Sequence, residues 1–130
     1  MFALDTNSLI DFFKGMGRVA ERLLATAPAE IGVPTIVLFE LEVGIAKSSS
    51  PAKRRAQLEH LLRCVRLLPF DRKAAESSAR VRAGLEHAGT PIGPMDTLIA
   101  GTALAAGAVL VSRNVQEFRR VPELQVVDWF

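Results

Sequence analysis

Residues 94–114 read PMDTLIAGTALAAGAVLVSRN. Pro94 stands where a helix can begin without losing a needed backbone donor. Helix formers and small residues then run from Met95 to Ala106, and Gly107 closes the helix. Ala108 to Ser112 is a short apolar run with β-branched residues, the mark of a strand covered on both faces. A helix that delivers the chain straight into a buried strand is the second half of a parallel crossover. This segment therefore points to an α/β architecture.

The rest of the chain repeats the alternation. Phe2 to Asp5 is a strand ending in an acid, and Thr6-Asn7-Ser8 supplies turn and cap chemistry. Ser8 with Asp11 resembles a capping box. Leu9, Ile10, Phe12 and Phe13 give the next helix an apolar side, and Gly15 and Gly17 end it. A second helix runs to Ala27 and stops at Pro28. Glu30 to Pro34 is a strand, and Thr35 to Lys47 a helix. After the loop 48–51 comes a basic helix from Ala52 to Arg63. Val65 to Phe70 is predicted as a strand and Arg72 to His87 as a helix. Asn114 to Phe118 is a helical turn, and Leu124 to Trp129 a last strand. The 130 residues suit one domain, with a mostly parallel sheet between helices.

Composition narrows the function classes. With 49% hydrophobic residues the chain can bury a core, and no apolar run approaches the ~20 residues of a membrane span. The apolar start carries Asp5 and no basic leader, unlike a secretory signal. The single cysteine, Cys64, permits no internal disulfide and suits a reducing, cytoplasmic setting. It reads as a small buried hydrophobe. Met16, Met95 and Trp129 read as packing residues, and His60 and His87 as lone histidines without ligand spacing. Net charge is only +2, yet Lys47 to Arg82 holds ten Lys/Arg against three acids, a local +7, leaving −5 for the remainder. Such a basic stretch can follow a phosphate backbone or simply form a solvated helical face.

In parallel sheets ligands bind beyond the carboxyl ends of the strands. Asp5 ends the first strand, Asn114 follows the strand ending at Ser112, and Asp96 lies in the first turn of the Ala-rich helix. Each has an ordinary structural explanation: Asp5 as a helix cap, Asp96 as a partner of the helix dipole, Asn114 as a turn residue. Together they crowd carboxylates at one sheet edge, where repulsion is costly unless a cation relieves it. Glu40 and Glu42 are further candidates, about 200° apart on one helix, so both cannot enter one pocket. Oxygen ligands without nearby Cys or His favour Mg²⁺, or Mn²⁺, over zinc.

LDTNSLI, FELEVG, PIGPMDTLIAGTALAAGAVLVSRN with the following EF, and VVDW together resemble the PIN-domain family. More narrowly, the chain resembles the VapC-type toxin ribonucleases of bacterial and archaeal toxin–antitoxin pairs. The resemblance spans Phe2 to Trp129 and implies a PIN-like three-layer α/β/α sandwich. It implies a catalytic set of Asp5, Glu40, Asp96 and Asn114, and it selects Glu40 over Glu42. It makes Asp5 and Asp96 the direct metal ligands, with Thr6 and Ser112 as nearby hydroxyls. The implied reaction is Mg²⁺- or Mn²⁺-dependent endonucleolytic hydrolysis of RNA by a metal-activated water, leaving 5′-phosphate and 3′-hydroxyl ends. Asn at position 114 contributes no charge to a second metal. The implied partners are RNA, a cognate VapB-type antitoxin and a second copy of the chain, with no membrane.

Three other readings compete. Gly15-Met16-Gly17-Arg18-Val19-Ala20 fits a loose dinucleotide fingerprint but follows a helix instead of a strand. A phospho-acceptor signalling domain would need a lysine after Ser112, where Arg113 stands. A non-catalytic module with the same fold would have no use for four occupied pocket positions.

Overall fold

The computed structural model describes residues 1–130. Five strands form one sheet in the order β3-β2-β1-β4-β5: β1 (Phe2–Leu4), β2 (Ile31–Pro34), β3 (Arg66–Leu68), β4 (Val109–Val111) and β5 (Val126–Val127). Every pairing is parallel, so the sheet is wholly parallel where the sequence predicts a mostly parallel one. The helices are α1 (Thr6–Lys14), α2 (Val19–Leu24), α3 (Thr35–Ala46), α4 (Pro51–Cys64), α5 (Arg72–His87), α6 (Pro94–Ala105) and α7 (Val115–Phe118), with a short 3-10 turn at Pro28–Glu30. Parallel strands need crossovers, and these carry the helices to the two faces of the sheet, giving the α/β sandwich.

The core explains why the inner strands read as unbroken apolar runs. Ala3, Leu4, Ile31, Val33, Leu110 and Val111 are all fully buried and belong to one apolar cluster of 24 residues. The chain leaves β1 towards β2 and β3, then returns on the other side through β4 and β5. The connections diverge between β1 and β4, which opens a crevice at their carboxyl ends. Leu4 pairs with Val111 there, and the Asp5 N–H continues the ladder to the Val111 carbonyl at 3.1 Å.

One close contact seats α6. A Cβ on Gly101 would lie 1.9 Å from Ser78 Oγ and 2.5 Å from Ser78 Cα, so α5 and α6 touch backbone to backbone. Ser78 Oγ is buried without a hydrogen-bond partner.

Several local expectations need correction. Helix α1 starts at Thr6, and its N-cap is Asp5, whose carboxylate accepts from the Ser8 N–H at 2.9 Å; the Ser8–Asp11 capping box does not form. Gly15 ends α1 in the left-handed region at φ 66° as its composition predicts, and Gly15–Arg18 is a helix–helix turn, not a nucleotide loop. Strands β3 and β5 are shorter than their apolar runs, because only the residues with a neighbouring strand enter the ladder. Cys64 is exposed at the end of α4, and Met16 and Met95 are also exposed; Trp129 is buried, with its ring 5.0 Å from that of Phe2.

Candidate active site

The four predicted residues come from four elements: Asp5 and Asn114 line the β1/β4 crevice, Glu40 lines an adjoining cavity, and Asp96 is near enough to feel the charges of Asp5 and Glu40. Asp5 follows β1 and is buried. Its carboxylate caps α1, and the Ser112 hydroxyl hydrogen-bonds it. Ser112 also accepts from the Asn114 N–H at 2.9 Å, which fixes the turn after β4. Ser8 Oγ donates to the Val111 carbonyl at 3.2 Å, tying α1 to that strand end. The residue that caps the helix is thus also the carboxylate that faces the crevice. The capping and site readings of Asp5 are compatible.

Glu40 lies midway along α3, half-buried, and accepts a hydrogen bond of 2.6 Å from Thr6 Oγ1. Glu42 points elsewhere, to Arg55 on α4. The helix geometry that forbids both acids from sharing a pocket is therefore resolved by an ion pair on the far side. Asp96 stands in the first turn of α6, half-buried. Its carboxyl is pushed up to about 6, first by burial and then by the negative charges of Glu117, Asp5 and Glu40. Burial likewise raises the Asp5 carboxyl, against the opposing hydrogen bonds from Ser112 and Ser8.

Glu117 is a fifth polar residue here and was given no role in the sequence reading. It accepts from the Asn114 amide and from the Gly93 N–H at 3.1 Å, and it hydrogen-bonds Asp96. The Asn114 amide, its largest influence, holds its carboxyl below the usual range. The usable signal was the three-residue spacing from Asn114 on a helical turn, which puts both on one face. Asp5 and Asn114 line a cavity of about 440 Å³ with Asn7, Ile10, Asp11 and Arg113. Glu40 lines an adjoining one with Lys14 and Arg54, and Ile10 borders both.

The donor set is all oxygen and amide, with carboxylates near enough to raise one another's protonation. That chemistry fits a hard divalent cation. No three or more of the Asp, Glu, His and Cys side chains are grouped so that together they could hold a metal ion. A divalent ion that keeps several of its waters needs only one or two protein carboxylates.

An acid-lined crevice at the switch point of a parallel sheet is where ligands bind in folds of this class. The chain belongs to the PIN-domain family, whose model matches residues 2–124. Among its relatives, it is 34% identical over 128 residues to the tRNA(fMet)-specific endonuclease VapC of Salmonella typhimurium, covering 98% of this chain and 97% of that one. Its fold is similar to VapBC2 from Rickettsia felis bound to a promoter DNA fragment, with a TM-score of 0.92, 31% identity and 99% and 98% coverage. DNA-bound VapBC from Salmonella typhimurium gives the same TM-score at 35% identity, again covering 99% and 98%. The resemblance read from the motifs is thereby established at the level of family and fold.

Proposed function

We propose that Asp5, Glu40, Asp96 and Asn114 form the catalytic site of a VapC-type endoribonuclease, the toxin half of a toxin–antitoxin pair. The observation that carries this reading is that Asp5 and Asn114 line one cavity at the carboxyl ends of β1 and β4, with Asp96 near enough to feel the charges of Asp5 and Glu40, in a chain 34% identical to a VapC endonuclease. Asp5 and Asp96 would be the residues that hold Mg²⁺ (or Mn²⁺), and that ion supplies charge neutralisation and a water of lowered pKa. Thr6 orients Glu40, Ser112 orients both Asp5 and the backbone of Asn114, and Glu117 fixes the Asn114 amide. The reaction is hydrolysis of an RNA phosphodiester, leaving 5′-phosphate and 3′-hydroxyl ends. The relative from Salmonella is a tRNA(fMet)-specific endonuclease, which makes that tRNA the first substrate to assay.

Inhibition by a small VapB-type antitoxin follows from the same reading. A groove of about 610 Å³ beside α1 is lined by Phe12, Phe13, Leu23, Leu24 and Leu61 among others, and suits an apolar segment of such a partner. An antitoxin arginine reaching the carboxylates would take the place of the cation. We also expect a homodimer in the cytoplasm; no helix is long and apolar enough to cross a membrane. Expression of the chain alone should arrest growth and release RNA fragments with 5′-phosphate ends, and co-expression of the adjacent antitoxin gene should restore growth. Asp5→Asn and Asp96→Asn should be harmless when expressed alone. Growth arrest that persists undiminished in both variants would overturn the site.

A further inference from the structure

The 440 Å³ cavity at the β1/β4 edge holds one cation among its six lining residues, Arg113. Its guanidinium is fixed from two directions. Nη1 lies 3.5 Å from Asp11 Oδ2, and Cζ sits 3.7 Å from the centre of the Phe130 ring. Phe130 is itself anchored: its carbonyl accepts from the Arg18 N–H at 2.9 Å, and its N–H donates to Asp128 at 2.8 Å. Its ring also packs on Gly17, where a Cβ would come within 2.6 Å. The Asp11 contact engages a single nitrogen, and the Arg113 side chain remains 48% exposed. A guanidinium has five N–H donors, so most of this one is ordered yet uncommitted.

We propose that Arg113 is a phosphate-binding residue for the RNA, gripping a phosphate next to the bond that is cut; this rests on the ribonuclease reading above. Asp5 and Asp11 line the same cavity and repel a phosphodiester, and Arg113 alone offsets them there. The planar fork matches two phosphate oxygens at once. Because Phe130 and Asp11 hold the side chain in place, little conformational freedom is left to lose on binding. The ring of Phe130 orients the cation from one face and leaves its edge for the ligand.

The test is steady-state cleavage of a single-stranded RNA oligonucleotide in Mg²⁺ at several salt concentrations, with thermal unfolding measured on each variant. Arg113→Gln should raise KM roughly ten- to a hundred-fold, the range for losing a charged hydrogen-bond pair, with kcat little changed. Its KM should also respond less steeply to salt, by about one phosphate contact. Arg113→Lys should recover part of the loss. Asp11→Asn should change KM far less than Arg113→Gln, because removing a carboxylate that repels the phosphodiester offsets the loss of one of the two contacts that hold the guanidinium. A residue that merely tethers α1 would behave differently: Arg113→Gln and Asp11→Asn would lower the unfolding temperature alike and leave KM and its salt dependence unchanged, which overturns the assignment. If wild type cuts and Arg113→Gln keeps its KM, only this proposal fails; if wild type cuts no RNA, the ribonuclease reading fails with it.

Discussion

Asp96 couples the site to the stability of the fold. Its carboxyl titrates at about 6 instead of the ordinary 3.8. Between those values the folded chain holds more protons than the unfolded one, so the metal-free protein loses stability as pH rises through that window. Asp96→Asn should therefore raise the unfolding temperature of the metal-free protein at pH 7.5, and the gain should vanish below pH 4. A lower melting temperature at neutral pH, with the fold unchanged by circular dichroism, would contradict the cost of burying this carboxylate among other negative charges. Asp5 and Asp96 were legible because strand ends and first helical turns are visible in sequence. Glu40 was not separable from Glu42 by periodicity, since the spacing forbids a shared pocket without saying which acid faces it. The deciding contacts, Thr6 to Glu40 and Arg55 to Glu42, span 34 and 13 residues. The misreading of Cys64 has a similar origin: residue type gives an average burial, while the end of α4 leaves this side chain uncovered.

Helix α6 brings Asp96 close to Asp5, Glu40 and Glu117, and its seat on α5 depends on Gly101. The Cβ of an alanine there would collide with Ser78 backbone, which cannot swing aside as a flexible side chain can. Gly101→Ala should cost about 1–3 kcal/mol or more in chemical denaturation and should lower cleavage by shifting the helix start. Ser78→Ala removes a buried, unpartnered hydroxyl and should be neutral or mildly stabilising. Equal losses from the two changes would mean that the hydroxyl, not the close approach, holds the helices together. The order of the helices and strands was legible from apolar period and punctuation. Strand ends were less so: Val65 to Phe70 is predicted as one strand, yet only Arg66–Leu68 finds a partner in β2. Pairing across the sheet is a property of two segments, and one segment's composition cannot report it.

Charge is segregated across the molecule, with Lys47 to Arg82 strongly basic. The structure divides that segment's arginines by use. Arg55 is committed to Glu42 and approaches Glu59, whereas Arg54 borders the cavity that holds Glu40. RNA affinity should fall steeply with salt, and neutralising Lys53 and Arg54 should flatten that dependence more than neutralising Arg55. Equal slopes for all variants would assign the basic face to solvent or to a protein partner. The strand order has a consequence for how the protein is made. β1 lies between β2 and β4, and Ser8 near the start bonds to Val111, 103 residues later. During translation Asp5 and Glu40 leave the ribosome long before Asp96 and Asn114 exist, and the central strand lacks its second neighbour until Val109–Val111 emerge. A nascent chain therefore cannot assemble this crevice until the last quarter of the sequence has been made, and its site residues wait apart until then.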